Sequence, residues 1–489
     1  MTEFTVPLFI RGDLITDDLV PFAGRLDHTF TAPDPAKYVE RLPLRSPADL
    51  ADLYDVTFDE ILDVLTELGT ALAFDTNVYI QEAFEACLVS NPMSESILRT
   101  GYVALPAMFN REQMRELADM QVGIDYLEGW VPQTLIDGRE IKVRAFGART
   151  LHIPAGNGGL VAGITVLRTA LTRSDAIIKA PSNDPLTAMA IARTLNDIAP
   201  DHPITRHLAV GYWKGGDEAV EEQLYRPEHI EKIVAWGGLA SVKHVTRYIQ
   251  PGLELIALDP KRSATIIGPE AFDSEETLLE VAQRAACDIG AGNQEGCVNA
   301  RVIYVLSGTD GTGLERANRL GELVYEAMVN LPDFISTTPK VVNKTLLENI
   351  EGSRLTEDWY RVFGGENAEG AIVVSQLDEP VHYSTMLSGR VANIVPVDSI
   401  DKVTDAVNAY TQTIGIYPES LKTRLRDRLA LFGAQRFVSL GYAASVNFEI
   451  PQDAIEPVRR MCKWIVDEHC EPDRVFPLWR APELLGGSA

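Results

Sequence analysis

Between about residue 150 and residue 310, short apolar and β-branched runs alternate with amphipathic stretches, and few folds accept this alternation. A helix that returns the chain to the edge it left makes successive strands parallel. The pattern predicts strands at Ala176–Ala180, Leu208–Trp213, Lys232–Trp236, Ala264–Gly268 and Arg301–Leu306. Between them it predicts helices over Pro185–Leu195, where proline suits the first turn, and Ser274–Gly290, where Ser-Glu-Glu caps the start. The fold class is therefore α/β with a parallel sheet. The uncharged window Thr150–Leu167 contains His152, Pro154, Asn157 and four glycines, which break any membrane helix, so no membrane span is expected and the window reads as a buried turn leading into a helix.

The flanks are less patterned. The first 150 residues are more acidic and more helical, with helices expected over Phe58–Leu68, stopped by Gly69, and over Arg111–Met120, but no assignable motif. Beyond Asp333 a helix over Ser420–Leu431 and a strand over Val391–Val395 are expected. The 489-residue length allows two or three domains. With 44 Lys and Arg against 70 Asp and Glu, the net charge of −26 argues against nucleic acid or an anionic membrane as the main partner. The opening MTEFTVPLFIRGDL lacks the basic-then-apolar pattern of a secretory leader, and five cysteines without a Cys-x-x-Cys pair read as the reduced thiols of a cytoplasmic protein. Cys462, His469 and Cys470 lie close together but have no fourth ligand, so no metal is expected.

The most informative stretch is Ala291 to Val305, AGNQEGCVNARVIYV. It places Cys297 on a Gly-containing loop just before a strand, where backbone N–H groups turned towards a thiol can favour its attack on a carbonyl. A lone cysteine is ordinarily a small buried hydrophobe. The surrounding sequence changes that reading. Asn293-Gln294-Glu295-Gly296-Cys297, with Arg301 four residues on, resembles the Asn-Gln-x-x-Cys element of the aldehyde dehydrogenase superfamily. Glu254-Leu255-Ile256-Ala257-Leu258-Asp259-Pro260 resembles its Glu-Leu-Gly-Gly-Lys-x-Pro element, without the glycines and lysine. Ala235-Trp236-Gly237-Gly238 resembles its Phe-Thr-Gly-Ser turn, and Lys179 with Pro185-Leu186-Thr187-Ala188 its Lys-to-Pro-Leu-Thr-Ala segment. Asn157 stands where the superfamily's Asn follows a strand. Pro154-Ala155-Gly156-Asn157, Trp236-Gly237-Gly238 and Asp259-Pro260-Lys261-Arg262-Ser263 are most similar to the acyl-CoA reductases typified by the fatty-acid reductase of bacterial bioluminescence.

That resemblance implies an aldehyde dehydrogenase-like α/β fold: an N-terminal region with a Rossmann-type NAD(P)-binding domain over 1–262, a catalytic domain over 263–435, and a C-terminal segment over 436–489 that returns to the cofactor domain or to an assembly interface through a small oligomerisation element. It implies a homo-oligomer, an acyl-CoA or acyl-carrier substrate of medium or long chain, and an acyl-activating partner enzyme. Cys297 would be the nucleophile, and the Asn157 amide with the Cys297 backbone N–H would hold the oxyanion. Lys179, Ser182, Lys214, Gly237 and Gly238 would bind the cofactor. Where NAD-specific members often carry Glu, Ser182 removes a repulsion towards a 2′-phosphate, which points to NADPH over NADH. Gln376-Leu377-Asp378-Glu379-Pro380-Val381 replaces the family's ribose clamp, so the nicotinamide end would be placed differently. Glu254 matches the general base of aldehyde-oxidising relatives, which keeps aldehyde oxidation as the alternative activity. A catalytically silent subunit of an acyl-transfer complex is the third reading, and intact Cys297 and Asn157 argue against it.

Overall fold

The computed structural model describes residues 4–258, 261–472 and 475–480. Asp259 and Pro260, which belong to two of the elements quoted above, lie outside the described residues. Numbered along the chain, β1 (Leu8–Ile10) and β2 (Asp13–Ile15) form one hairpin, β3 (Leu19–Ala23) and β4 (Thr29–Pro33) a second, and β5 (Val131–Thr134) and β6 (Glu140–Phe146) a third. The parallel strands β7 (Arg149–Ile153), β8 (Asp175–Lys179), β9 (Leu208–Gly211), β10 (Lys232–Trp236) and β11 (Glu254–Leu258) follow. A second series comprises β12 (Arg262–Ile267), β13 (Ala300–Val305), β14 (Tyr360–Gly364), β15 (Ala371–Ser375), β16 (Val391–Pro396), β17 (Thr411–Tyr417) and β18 (Arg436–Ser439), and the last strand is β19 (Lys463–His469).

Among the described residues two seven-stranded sheets carry the architecture. The first has the order β11-β10-β7-β8-β9-β1-β2 and the second β14-β15-β16-β13-β12-β17-β18. In the first sheet the chain runs from β7 outward through β8 to β9, then crosses back to β10 on the other side of β7. This reversal is the topological switch point of a Rossmann-type sheet, where ligands bind outside the carboxyl ends of the strands. β19 pairs with β6 along its full length, closing a three-stranded sheet with β5. No described helix is long and apolar enough to cross a membrane.

The predicted strands are present, but the structure corrects three expectations. Residues 149–153 form β7, a buried strand paired with β8 and β10, and not a turn; its polar members hid it. His152 and Thr150 are buried and hydrogen-bond each other at 3.0 Å, so the polarity is satisfied inside the sheet, and burial lowers the His152 pKa to about 3, leaving it neutral. Gly69 does not stop its helix, which runs Phe58–Ala71. A Cβ there would lie 2.6 Å from the Cβ of Phe109, so glycine serves close packing of the helix on the Leu105–Phe109 segment. The first 150 residues also do more than add helices, because β1 extends the first sheet by pairing antiparallel with β9.

Candidate active site

Six of the residues proposed from the sequence gather at one edge of the first sheet. Asn157 follows β7, Lys179 ends β8, Ser182 follows it, Lys214 follows β9, and Gly237 and Gly238 follow β10. All stand at the carboxyl ends of parallel strands. Gly238 caps the helix Leu239–Thr246 without a side-chain hydrogen bond, so the first-turn N–H groups remain available to an anion. Gly237 takes φ +154°, a conformation that side chains disfavour, and a Cβ on Gly238 would meet open space. The Lys179 ammonium lies 5.7 Å from the Tyr212 ring centroid and 5.8 Å from that of Trp213, and has no ion-pair partner among the described residues. Burial lowers its pKa to about 8, against the field of Glu221. A partly buried cation at the end of β8 and a glycine-lined helix start after β10, two strands away at the same sheet edge, fit the ribose-phosphate part of a dinucleotide.

Cys297 lies at the amino end of β13, the middle strand of the second sheet. It is only partly exposed, as its loop is held from several sides. Gly292, Asn293 and Gln294 all take left-handed φ, 57°, 55° and 66°. Two side chains hold this uncommon backbone. Asn293 Oδ1 accepts from the Thr337 N–H at 2.8 Å, and Gln294 exchanges hydrogen bonds with the Val391 backbone, both at 3.0 Å. The Arg301 guanidinium donates to the carbonyl oxygens of Asn299, Leu387 and Gln294 at 2.9, 3.1 and 3.2 Å. Ser263 Oγ donates to the Cys297 carbonyl at 2.7 Å and accepts from the Thr413 N–H at 3.1 Å, at a point where the register of β12 shifts against both neighbours.

Burial raises the Cys297 pKa above the ordinary thiol value. Asp453 adds to the rise, while a hydrogen bond with Gln412 and the Arg301 charge oppose it. Gln412 Nε2 also donates to Asp453 Oδ1 at 2.6 Å, which links the carboxylate to the thiol's surroundings. Gln412 and Asp453 have no motif to mark them, and Ser263, although it ends the Asp259-Pro260-Lys261-Arg262-Ser263 motif, was not assigned to the site, because all three reach Cys297 only through the β12-β13-β17 pairing and the C-terminal segment.

The two sheets meet at Asn157. Its Nδ2 donates to the Glu295 carbonyl at 3.4 Å, two residues before the cysteine, and its buried Oδ1 has no hydrogen-bond partner. The structure thus brings together the proposed oxyanion donor and the loop of the proposed nucleophile. It does not bring Glu254. That residue begins β11 at the amino edge of the first sheet, opposite the edge that carries Asn157. Its carboxylate accepts from Lys232 at 2.9 Å and pairs with Arg460. Burial would raise its pKa, but these two cations together lower it, and a carboxylate so held is a weak base. The base assignment for Glu254 is therefore corrected to a structural ion pair that docks the C-terminal segment on the sheet. Gln376, at the position of the family's ribose clamp, exchanges hydrogen bonds with Asn318 at 3.1 and 2.9 Å.

Among the described residues no group of three or more His, Cys, Asp or Glu side chains is placed to hold a metal ion. A cavity of about 240 Å³ is lined by Met108, Met114, Leu117, Leu160, Leu167 and Phe448, together with the polar side chains of Gln113, Asn447 and Glu449.

Comparisons with known proteins bear on the fold and the family. The E. coli lactaldehyde dehydrogenase structure superposes with a TM-score of 0.70 at 15% identity over 96% of this chain and 100% of that one. A Bacillus halodurans NADP-dependent glyceraldehyde-3-phosphate dehydrogenase complexed with NADP gives 0.70 at 13% identity over 96% and 99%. A Mycobacterium tuberculosis aldehyde dehydrogenase complexed with NAD+ also gives 0.70, at 15% identity over 95% and 98%. The fold is that of the aldehyde dehydrogenases. In sequence, the chain is 26% identical over 480 residues to the long-chain acyl-protein thioester reductase of Vibrio harveyi, covering 95% of this chain and 94% of the relative. It is 30% identical over 349 residues to that of Photorhabdus laumondii, covering 70% and 67%. The family model described as acyl-CoA reductase (LuxC) matches residues 53–464, most of the chain, and the protein therefore belongs to the acyl-CoA reductase (LuxC) family.

Proposed function

We propose that this protein reduces a medium- or long-chain acyl thioester, carried on CoA or on an acyl-carrier or partner protein, to the aldehyde with NADPH, through a covalent acyl-enzyme on Cys297. The observation that carries the reading is the Asn157 amide held against the Cys297 loop across the seam between the two sheets. An acyl-transfer site needs a nucleophile and a donor aimed at the oxygen that becomes negative.

In this reading Cys297 Sγ attacks the thioester carbonyl, and the Asn157 Nδ2 exchanges its long bond to Glu295 for one to the developing oxyanion. The Cys297 backbone N–H is the second donor. Collapse expels the substrate thiol and leaves the acyl group on Sγ. A bound reduced nicotinamide supplies the hydride. Asn157 then holds the oxygen of the resulting thiohemiacetal, which expels Cys297 and releases aldehyde. Arg301 and Ser263 keep the loop in register throughout by holding its carbonyls.

Lys179, Ser182, Lys214 and the Gly237-Gly238 turn hold the cofactor. Lys179 supplies a cation, and neutral Ser182 admits the 2′-phosphate. The cavity beside Leu160 and Leu167 takes the acyl chain along its apolar side chains, because a hydrocarbon gains about 0.8 kcal/mol per methylene buried against them. The placement of Glu254 at the far edge supports reduction over oxidation, since hydrolysis of the acyl-enzyme would require an activated water. The three-stranded sheet exposes Ile465 and Val466, and Trp130 is exposed just before β5, which suits the contact surface of a homo-oligomer.

The test is the purified protein with NADPH and a panel of acyl-CoA and acyl-carrier thioesters, followed by loss of NADPH absorbance and by trapping of the aldehyde. Turnover that disappears in Cys297→Ala supports the reading. Turnover with aldehyde and NADP+ alone, and none with thioesters, would refute it.

A further inference from the structure

The geometry points to Asn183 and Asn91 as positioning residues that fix the oxyanion donor Asn157 by holding the carbonyl of Gly156 between two amides. This rests on the oxyanion role proposed above for Asn157. Asn183 Nδ2 donates to Gly156 O at 2.6 Å and Asn91 Nδ2 to the same oxygen at 2.8 Å. Both side chains are buried, Asn91 completely. The clamp is itself braced: Asn91 Nδ2 also donates to the Asn183 carbonyl at 3.1 Å, and Ser90 Oγ to that carbonyl at 3.2 Å.

Asn157 needs such a clamp. It lies between Gly156 and Gly158, the latter at φ +145°, and a Gly-Asn-Gly-Gly run does not set its own conformation. An oxyanion donor acts only within a few tenths of an ångström of its productive position. Gly156 is the residue through which the position is imposed, and the approach is as close as glycine alone allows. A Cβ on Gly156 would lie 2.1 Å from Asn183 Oδ1. The clamp also ties the two halves of the site together. Asn183 directly follows Ser182 on the cofactor side, and Asn157 touches the Cys297 loop on the other. Asn91 follows the helix Val78–Ser90, so the N-terminal region contributes to catalysis without touching substrate.

The test uses single-turnover acylation of the full-length protein by a long-chain acyl-CoA without cofactor, read as the mass adduct on Cys297 against time. Asn183→Asp keeps the side-chain volume but sets a carboxylate oxygen against the Gly156 carbonyl. It is expected to slow acylation at least tenfold with NADPH affinity near wild type, and because the carboxylate is buried without a donor the thermal midpoint falls as well. Asn91→Ser, which shortens the second donor, is expected to act in the same direction. Asn157→Ala should slow acylation by about 10²–10³. If Asn183 acts through Asn157, Asn157→Ala with Asn183→Asp is no slower than Asn157→Ala alone within about threefold. Multiplying effects in the double variant, or acylation that falls only together with NADPH affinity, would overturn the positioning role and leave the proposed function standing. A wild-type protein that never acylates Cys297 would overturn both.

Discussion

Replacing Glu254 by Gln separates a structural carboxylate from a catalytic one. Glu254 opens β11 and Leu258 ends it, so four steps of about 3.3 Å put the carboxylate roughly 13 Å from the strand's carboxyl end. A general base has to come within about 3 Å of the water it activates, or reach it through one further water. Glu254 is instead tied to Lys232 at 2.9 Å and to Arg460. The variant should therefore leave thioester reduction within about twofold of wild type. Its cost falls on stability. Lys232 is buried and keeps its bonds to the carbonyls of Arg460 and Cys462, while the carboxylate side chain is 41% exposed, so solvent discounts the pair to about 1–2 kcal/mol. For a 489-residue chain that corresponds to about 1–2 degrees in thermal midpoint. The pH dependence has a definite sign. A carboxylate whose folded pKa is depressed stabilises above its unfolded pKa of about 4.3, and the contribution is lost as pH falls through the lower folded value. The difference between wild type and variant should thus be full at neutral pH and shrink in acid. Steady-state turnover and thermal melts at pH 7 and pH 4 check this. A loss of turnover by 10² or more with an unchanged melt would refute the reasoning and restore Glu254 as a base.

Because burial keeps the Cys297 pKa above the ordinary thiol value of about 8.5, acylation should still be climbing at that pH, and Arg301→Gln should move the climb higher; a plateau below pH 7 would contradict this. Leu167→Trp fills the cavity and should cut turnover with long acyl chains at least tenfold while sparing short ones, measured as kcat/KM across a chain-length series. Ser182→Glu places a negative charge at the site proposed for the 2′-phosphate, so the KM for NADPH should rise at least tenfold and that for NADH change little.

How much of this was legible in the sequence depended on whether local pattern or tertiary pairing carried the signal. The strands around Ile177, Val210, Val234 and Ile303 announced themselves because buried parallel strands are continuous apolar runs. β7 did not, since His152 and Thr150 are polar residues whose partners lie inside the fold. Cys297 could be proposed from a motif that precedes a strand, and Asn157 and Gly238 from motifs that follow strands or open a helix. Glu254 was misread for a physical reason: a motif match fixes residue order, whereas the pairing of β11 with β10 fixes which end of the strand a side chain occupies. Gln412 and the Asn183–Asn91 clamp lay beyond any local pattern, and Ser263 stood in a motif that said nothing of its contact with Cys297, because each reaches its partner through backbone that is distant in sequence.

The central claim is a covalent acyl-enzyme on Cys297, and intact-protein and peptide mass spectrometry after mixing with a long-chain acyl-CoA tests it most directly. The account predicts one added acyl group per chain, located on Cys297, absent in Cys297→Ala and discharged as aldehyde when NADPH is added. An adduct on another residue, or discharge as the free acid with NADPH unconsumed, would contradict it.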